Sequence, residues 1–501
     1  MSLAIVNTRA SVGIQAPPVT VEVHLTNGLP GLAIVGLPEA AVRESKDRVR
    51  GALLSSHFDY PARRITVNLA PADLPKDGGR FDLPIAIGIL AASGQLPNGP
   101  LVNLEFVGEL ALSGALRSVR GTLAASIAAR DAGRSIIVAH GNGREAAFVP
   151  GARVHGAEHL LSVAAHITGS ESLSQVERTR PTVNSADGPD LADVRGQPHA
   201  RRALEVCAAG CHSALFIGPP GSGKSMLATR LPSILPPLAE EEVLEVAAIA
   251  SVSDDAGWCP ERWRERPFRA PHHSASPTAL VGGGSLPRPG EVSRAHRGVL
   301  FLDELPEYER RVLEMLREPL ETGSVTIARA ARSETFPAEF QLMAAMNPCP
   351  CGFLGSPRCR CPEETVRRYR ARLSGPLLDR IDLQVEVPPV EESALFGAVA
   401  RGEPSAVVAE RVAAARWRQL DRQGGLNRDL AGHDLERWCR LGDDENRLLR
   451  NAMRRLGLTA RSLHRVLRVA RTVADLAGED SIDTTHLAEA LGYRRLDRAQ
   501  G

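Results

Sequence analysis

Residues 218–225, with the sequence GPPGSGKS, identify the type of fold in the central part of this chain. An apolar run at residues 214–217 (ALFI) precedes it and predicts a buried strand, and residues 226–231 predict the start of a helix. In that context, backbone N–H groups converge on phosphate oxygens at a helix N-terminus, where the helix dipole favours anions. We therefore predict a nucleotide phosphate-binding loop formed by Gly218, Pro219, Pro220, Gly221, Ser222, Gly223, Lys224 and Ser225.

The loop and a second apolar run supply the groups that ATP hydrolysis needs. Lys224 offers a positive charge to the β- and γ-phosphates, and Ser225 offers a hydroxyl to Mg²⁺. The apolar run at residues 299–302 ends in Asp303 and Glu304. There Asp303 would hold Mg²⁺ through water, and Glu304 would orient and deprotonate the attacking water. This pair predicts hydrolysis rather than nucleotide binding alone.

Composition limits the class of protein. With 501 residues the chain is too long for one core, and we expect about two to four domains. A net charge of +1 excludes a globally basic nucleic-acid binder but leaves local basic surfaces open. No apolar run is long enough to span a membrane and no signal peptide is evident, so we expect a cytoplasmic protein with no membrane partner. The eight cysteines are then expected to be reduced thiols.

Hydrophobic patterning predicts four regions. Residues 1–168 mix strand and helix patterns, 169–190 form a linker, 191–390 hold the nucleotide machinery in α/β order, and 391–501 are helical. The predicted fold class is α/β, with a parallel sheet in the P-loop core, an α+β N-terminal domain and a C-terminal α-helical lid. The individual predictions are strands at 19–25, 65–69 and 340–346, and helices at 83–93, 122–132, 391–401, 406–422, 444–456, 460–477 and 484–493.

Three further polar residues follow or open predicted elements near this machinery. Asn347 comes directly after the strand at 340–346, where its amide would lie beside the γ-phosphate; the alternative is that it only starts a turn before Pro348. Arg380 follows a short helix and could reach a neighbouring subunit's nucleotide, or form a surface salt bridge. Arg461 opens a late helix, from which it could contact the γ-phosphate.

These elements, in this order, resemble the AAA+ ATPases of the magnesium-chelatase branch, and more closely the ComM/YifB family of magnesium-chelatase-like proteins. The segments that carry the resemblance are 268–273, 298–306, 346–352, 374–382 and 464–471, within a likeness that covers nearly the whole chain. The resemblance implies Arg380 as an arginine finger, Asn347 as first sensor and Arg461 as second sensor. It also implies that residues 191–197 line the adenine pocket.

The N-terminal region resembles the proteolytic domain of Lon proteases at residues 75–78 and 108–114. A Ser–Lys dyad would need an activated hydroxyl and a later lysine. Aligned on the loops, these positions fall on Arg80 and near Leu123, and Lys224 is the only lysine after Lys76. We therefore expect a Lon/S5-like α+β domain without proteolytic activity, retained for ring assembly or partner binding.

Four cysteines cluster directly after Asn347, as CxC–x7–CxC within the loop 349–361. Four thiolates in one loop can close a tetrahedral zinc site, although CxC is tighter than the usual CxxC spacing. Iron–sulfur ligation and metal-free loop cysteines stay open as alternatives. The candidate zinc ligands are Cys349, Cys351, Cys359 and Cys361.

Two other patterns suggest surface roles. His272 and His273 would point to opposite faces of a strand, which favours a structural or substrate-contact role over metal binding. Residues 282–284, all glycine, predict a flexible insertion loop.

Two arginine-rich segments bear on the substrate. Arginine at such density suits phosphate contacts on DNA, or equally ion pairs between subunits around ATP. Few aromatic residues lie nearby, so a DNA contact should be directed to the backbone and independent of sequence. The segments comprise Arg358, Arg360, Arg367, Arg368, Arg370 and Arg372, and Arg454, Arg455, Arg461, Arg465, Arg468 and Arg471.

The family resemblance decides between these interpretations. It implies an ATP hydrolase and DNA helicase that works as a homo-hexamer with ATP and Mg²⁺, and binds single-stranded or branched DNA. Its expected role is branch migration of recombination intermediates, as in natural transformation. Two alternatives are the motor subunit of a metal chelatase and a protein-remodelling AAA+ scaffold.

Overall fold

The computed structural model describes residues 3–36, 40–178, 188–253, 263–284, 287–329, 332–390 and 402–494. The chain divides into two compact units. The first comprises residues 1–183 and 243–263, and the second comprises residues 184–242 and 264–501. Each unit has its own buried apolar cluster.

The first unit contains a seven-stranded mixed sheet in the order β3-β4-β2-β1-β5-β8-β9. The β1–β2 and β2–β4 pairs are antiparallel, and the β3–β4, β1–β5, β5–β8 and β8–β9 pairs are parallel. The strands of the sheet are β1 (Leu3–Arg9), β2 (Pro18–Thr26), β3 (Gly31–Val35), β4 (Arg64–Ala70), β5 (Leu104–Val107), β8 (Ser135–Ala139) and β9 (Arg153–Ala157), and a separate antiparallel pair is formed by β6 (Glu109–Leu110) and β7 (Leu116–Arg117). Its helices are α1 (Ala40–Ser55), α2 (Asp82–Ala92), α3 (Thr122–Asp131), α4 (Gly143–Ala147) and α5 (Leu160–Thr168).

Helix α2 forms the centre of this unit, since every one of its residues is buried. It packs so closely on β2 that a Cβ atom at Gly88 would lie 2.5 Å from Val23 Cγ2. The predicted strands at 19–25 and 65–69 and the predicted helices at 83–93 and 122–132 are all present, with ends shifted by a residue or so. Alternation of apolar residues in the strands and continuous hydrophobicity in α2 explain why they were predictable.

The two positions that a Lon-type dyad would occupy lie in the interior. Arg80 is 4% exposed and Leu123 is 0% exposed. Burial lowers the pKa of the Arg80 guanidinium to about 10, with Asp77 and Glu145 opposing the shift. Neither side chain offers an accessible nucleophile or base.

Residues 243–263 join the first unit through contacts with its helices and loops. The Ser251 carbonyl accepts a hydrogen bond from the Gly121 N–H (3.1 Å), and Trp263 packs edge-on against Phe148 at 5.8 Å between ring centroids. The segment lies between sequence portions of the second unit, so the chain passes from that unit to the first and back again.

The second unit contains a five-stranded, fully parallel sheet in the order β11-β14-β17-β10-β18. Its three central strands are buried along their whole length, as expected for a parallel sheet covered on both faces. Its strands are β10 (Ala214–Ile217), β11 (Phe268–Arg269), β14 (Val299–Leu302), β17 (Gln341–Met346) and β18 (Leu383–Glu386), and the hairpins outside the sheet are β12 (Gly282–Gly283) with β13 (Arg288–Pro289) and β15 (Ser324–Arg329) with β16 (Arg332–Pro337).

The second unit also contains several helices. They are α6 (Pro198–Gly210), α7 (Lys224–Ile234), the first residues of α8 (Glu240–Val252, the rest of which belongs to the first unit), α9 (Pro277–Val281), α10 (Glu291–Arg294), α11 (Arg310–Met315), α12 (Arg317–Thr322), α13 (Glu363–Arg370) and α14 (Gly375–Leu378). The parallel strands of the central sheet and the helices around it form the predicted AAA+ P-loop core.

The C-terminal part of the second unit is helical. Its helices are α15 (Ser405–Gln423), α16 (Gly432–Trp438), α17 (Asp443–Leu456), α18 (Ala460–Ala477) and α19 (Thr484–Gly492). Four of the predicted helices correspond to α15, α17, α18 and α19, while α16 was not predicted and the helix predicted at 391–401 lies outside the described residues.

A buried carboxylate ties this helical region to the sheet. Asp382 accepts hydrogen bonds from Arg465 of α18 (2.6 Å) and from the backbone N–H of Ser213 (3.0 Å), just before β10. Burial opposes its ionisation, but His212, Arg465 and the Ser213 N–H together hold the pKa of Asp382 well below its ordinary value. The carboxylate is therefore charged and fixes α18 against the nucleotide-binding sheet.

Candidate nucleotide site and cysteine cluster

The phosphate loop connects β10 to α7, as the sequence predicts. Gly221 and Gly223 adopt left-handed backbone conformations (φ +76° and +92°), and no atom lies within 4 Å of a Cβ built on either. Gly218 is constrained differently, because a Cβ there would lie 2.1 Å from the carbonyl oxygen of Val387. The open space above the two left-handed glycines and the backbone N–H groups at the start of α7 fit a phosphate group.

Lys224 lies in the mouth of this loop. Its Nζ donates hydrogen bonds to the carbonyls of Gly218 (2.7 Å) and Pro219 (2.9 Å) and to Asn347 Oδ1 (3.2 Å). Burial lowers the pKa of the ammonium group, while the nearby carboxylates of Asp303 and Glu304 oppose that shift. The structure thus brings Lys224 together with Asn347, which sequence reasoning placed beside the γ-phosphate.

Two oxygen ligands for a divalent cation meet across the site. Ser225 Oγ donates a 2.5 Å hydrogen bond to Asp303 Oδ2, and Asp303 Oδ1 accepts from the backbone N–H of Glu304 (2.9 Å). Hydroxyl and carboxylate oxygens are the donors that Mg²⁺ prefers. The residues predicted for Mg²⁺ are therefore adjacent and chemically suitable.

Glu304 stands at the edge of the same site in a left-handed conformation (φ +52°), which is uncommon for a residue with a side chain. Its carboxylate is about half exposed and lies 3.1 Å from His273 Nδ1. Tyr308 donates a 2.6 Å hydrogen bond to the Pro271 carbonyl and so holds the histidine loop near Glu304. Glu304 is therefore accessible to water but held by a neighbouring imidazole.

The prediction that His272 and His273 point to opposite faces of a strand is wrong. The two residues follow β11 in a turn, and their ring centroids lie 4.1 Å apart. Since the strand ends at Arg269, the alternation of side chains does not extend to them. The sequence did not indicate His273 as the partner of Glu304, because the two residues lie on separate segments and neither segment carries a pattern that marks the contact.

One cleft of about 410 Å³ is lined by five residues of the predicted phosphate loop together with Asp303, Glu304 and Asn347. Its lining contains loop residues, both carboxylates and the predicted first sensor. The lining residues are Pro220, Gly221, Gly223, Lys224, Ser225, Met226, Asp303, Glu304, Met346 and Asn347.

The segment predicted to line the adenine pocket reaches the same loop. Gln197, in a left-handed conformation, donates from Nε2 to the carbonyls of Ser222 (3.4 Å) and Pro388 (2.5 Å). Leu191 is buried in the core, and its N–H donates to Ser405 Oγ of α15 (2.7 Å). The segment therefore links the phosphate loop to the helical region.

Arg380 and Arg461 are not among the residues that line the cleft. Arg380 is 8% exposed, pairs with Glu321 and donates to the Pro376 carbonyl (2.6 Å). Burial lowers its pKa, and the positive charges of nearby Arg317, Arg461 and Arg465 add to that effect against Glu321. The predicted finger and second sensor therefore lie near each other, and neither lines the protomer's own cleft.

The four cysteines of the loop 349–361 form a compact group. Their ligand atoms all lie within 4.8 Å of one another, and all four thiols are free. Cys349 is buried and the other three are partly exposed. Within the described residues, this is the group whose geometry would suit a metal ion.

The two arginine-rich segments differ in their surroundings. Arg358, Arg360 and Arg367 are exposed, and their side chains make no hydrogen bond or ion pair to the described residues. In the second segment, by contrast, α18 turns three arginines inward. Arg465 donates to Asp382, Arg468 donates to the Leu430 carbonyl, and Arg471 donates to Asp475.

The glycine loop at 282–284 is more constrained than predicted at its first residue. Gly282 pairs with Pro289 across β12 and β13, and a Cβ on it would lie 2.3 Å from the Arg288 carbonyl oxygen. Close backbone approach, rather than flexibility, accounts for glycine there.

Within the described residues, no helix has the length and hydropathy needed to cross a bilayer.

A parallel sheet with a phosphate loop after one strand and adjacent acidic residues after a neighbouring strand defines the chain as a P-loop nucleoside triphosphatase of the AAA+ class. Family models agree: "Magnesium chelatase, subunit ChlI" matches residues 190–395, "Subunit ChlI of Mg-chelatase" matches 21–142, and "Magnesium chelatase, subunit ChlI C-terminal" matches 402–494.

Curated relatives extend over the whole chain. The competence protein ComM of Haemophilus influenzae is 52% identical over 99% of this chain and 98% of its own length. The uncharacterized protein YifB of Escherichia coli shows the same identity and coverage, and an uncharacterized Mycobacterium tuberculosis protein is 44% identical over 96% of this chain. A magnesium-chelatase 67 kDa subunit of Chlorobaculum tepidum is 28% identical over 36% of it. The chain belongs to the ComM/YifB family of magnesium-chelatase-like ATPases.

Proposed function

We propose that this protein is an ATP- and Mg²⁺-dependent ring motor that acts on single-stranded or branched DNA. The observation that carries the ATPase part is the cleft in which Lys224, Ser225, Asp303, Glu304 and Asn347 meet. The proposal that DNA is the substrate rests on the full-length similarity to a competence protein and on the exposed arginines near the cysteine loop.

Each residue in the cleft has a distinct task in this proposal. The glycines of the loop and Lys224 bind the phosphates, and Ser225 and Asp303 hold Mg²⁺, which neutralises charge on the phosphates when bound. Glu304 orients a water molecule for attack and takes its proton, and Asn347 positions that water. His273 keeps the Glu304 carboxylate in place until the site is complete.

The arginine cluster suggests how subunits cooperate. Arg380 and Arg461 lie outside the lining of their own cleft, yet they share one neighbourhood. In a head-to-tail ring, every protomer can present this cluster to the cleft of the next one. We therefore propose that both arginines act on the neighbour's γ-phosphate in a homo-hexamer.

DNA binding is proposed to use the exposed arginines of the cysteine loop and α13. Arg358, Arg360 and Arg367 are available for phosphate contacts, whereas Arg368 is paired with Glu364. Contacts of this kind are independent of sequence and sensitive to salt. They suit a motor that moves a junction through unrelated sequences, as branch migration requires.

The direct test compares the ATPase rate without DNA, with single-stranded DNA and with a branched junction, alongside a junction-migration assay. We expect DNA to stimulate hydrolysis and the junction to move only when ATP is present, with Glu304→Gln inactive in both assays. A DNA-independent ATPase rate together with a static junction would refute the helicase role and favour a chelatase or protein-remodelling motor.

A second experiment tests the proposed DNA-binding arginines. Arg358→Ala/Arg360→Ala/Arg367→Ala should lower the slope of log affinity for single-stranded DNA against log salt by about 2. Arg447→Ala is the matched control, since that exposed arginine of α17 is paired with Asp444. Equal salt slopes in the triple variant and the control would place the DNA contact elsewhere.

A further inference from the structure

We propose that Cys349, Cys351, Cys359 and Cys361 bind one zinc ion, and that this site braces the phosphate loop so that zinc occupancy sets nucleotide affinity. The first half of the proposal stands on the cysteine geometry alone. The second half rests on the proposed nucleotide-binding role of the cleft.

The sulfur positions match a single tetrahedral ion. Cys349 Sγ lies 3.4 Å from Cys351 Sγ and 3.9 Å from Cys359 Sγ, and the last two atoms are 3.7 Å apart. A tetrahedron with Zn–S bonds of about 2.3 Å has S···S edges of about 3.8 Å. Cys361 completes the set, with its sulfur within 4.8 Å of the other three.

Other states of four cysteines fit less well. A disulfide would bring two sulfurs to about 2.05 Å, far shorter than the distances among Cys349, Cys351 and Cys359, and all four thiols of the group are free. An iron–sulfur cluster spreads its thiolates over several irons, which separates them more than one shared ion does. The spacing of this group is therefore that of one ion with four thiolate ligands.

The backbone also holds the first two cysteines of the loop close together. A turn with Gly352 in a left-handed conformation (φ +83°) closes the first CxC, through the Gly352 N–H to the Cys349 carbonyl (2.9 Å). The turn therefore keeps Cys349 and Cys351, whose sulfurs lie 3.4 Å apart, in position to bind the same ion.

The cysteine loop touches the phosphate loop directly. A Cβ built on Gly352 would lie 2.4 Å from Cδ and 2.8 Å from Cγ of Pro220. At the start of the loop, Cys349 is two residues from Asn347, whose side chain accepts from Lys224. Folding of the cysteine loop around an ion would therefore fix Pro220 and Asn347, which both line the nucleotide cleft.

Metal content tests the first half on the full-length protein. Elemental analysis of protein purified without added metal should find about one zinc ion per chain. Titration of the wild-type protein with a mercurial should release that zinc, which keeps the test valid if variants misfold. Cys359→Ser/Cys361→Ser should lose zinc, while Cys211→Ser, a thiol outside the group, should keep it. Zinc well below one per chain, or iron in its place, would overturn the site.

Affinity for a fluorescent ATP analogue tests the second half. Gly352→Ala should retain zinc but bind the analogue about tenfold more weakly, because the new methyl group displaces Pro220. Gly355→Ala is the matched control. Gly355 has the same left-handed conformation (φ +85°), so an alanine there is strained in the same way, but no atom lies within 4 Å of a Cβ built on it. Equal affinities in the two zinc-loaded variants would refute the coupling. A wild-type protein that contains zinc but binds no nucleotide would instead refute the proposed function.

Discussion

Substitution of Asp382 by Asn should destabilise the second unit strongly, because both carboxylate oxygens are occupied by donors. One oxygen accepts from Arg465 at 2.6 Å and the other accepts from the Ser213 N–H at 3.0 Å. An Asn side chain offers one acceptor and one NH₂ group, so in either orientation a donor faces a donor. Arg465, partly buried at 19% side-chain exposure, also loses its opposite charge.

The expected magnitude follows from these losses. Breaking a buried ion pair costs about 3–5 kcal/mol, and partial exposure of Arg465 favours the lower end, about 3 kcal/mol. For a unit of this size, that loss lowers the unfolding midpoint by about 6 °C. The assay is thermal unfolding of the full-length protein, with Asp421→Asn as a control, since Asp421 is exposed on α15.

The pH dependence gives an independent check. The pKa of Asp382 is depressed in the folded state, so its stabilising effect is complete above the unfolded value of about 3.9 and is lost as pH falls through the lower folded value. The difference in unfolding free energy between wild type and Asp382→Asn should therefore be constant above about pH 5 and shrink below about pH 4. A midpoint within 1–2 °C of wild type (roughly the effect of an exposed pair), or a difference unchanged in acid, would refute this reasoning.

Three other substitutions test the cleft. Glu304→Gln should slow hydrolysis by about 10²–10⁴-fold while the protein still binds a fluorescent nucleotide; loss of binding would contradict the assigned role. His273→Ala should lower kcat several-fold with little change in KM, since the Glu304 carboxylate loses its partner; an unchanged kcat would count against this. Gly218→Ala should cost about 1–3 kcal/mol of stability through overlap with the Val387 carbonyl, whereas Gly375→Ala, with no atom within 4 Å of its Cβ, should cost less; equal midpoints would contradict the packing argument.

The sequence contained the elements that local patterns encode. The strand Ala214–Ile217 and the helix Ala460–Ala477 begin and end where hydrophobic periodicity predicts. The phosphate loop and the acidic pair after β14 were also predictable, because such motifs are contiguous and their spacing reflects the chemistry. The assigned roles of these site residues stay predictions until the variants are measured.

Features formed by distant residues were not predictable in this way. The pairing of His273 with Glu304 joins residues on different segments, and nothing in either segment encodes it. Arg465, Arg468 and Arg471 look like a basic surface in the sequence, but α18 turns them toward internal acceptors. The inclusion of residues 243–263 in the first unit likewise depends on tertiary contacts. The boundaries predicted for the four regions stay predictions.

In the ring that we propose, each catalytic site combines Glu304 of one protomer with Arg380 of the next. Glu304→Gln and Arg380→Ala should each be nearly inactive alone, since loss of an arginine finger costs about 10³-fold or more. Mixed in equal amounts and allowed to exchange subunits, they should recover about a quarter of the wild-type ATPase rate, because one interface in four then pairs an intact Glu304 with an intact Arg380. A mixture no more active than its separate components would contradict the shared site, as would full activity of Arg380→Ala alone.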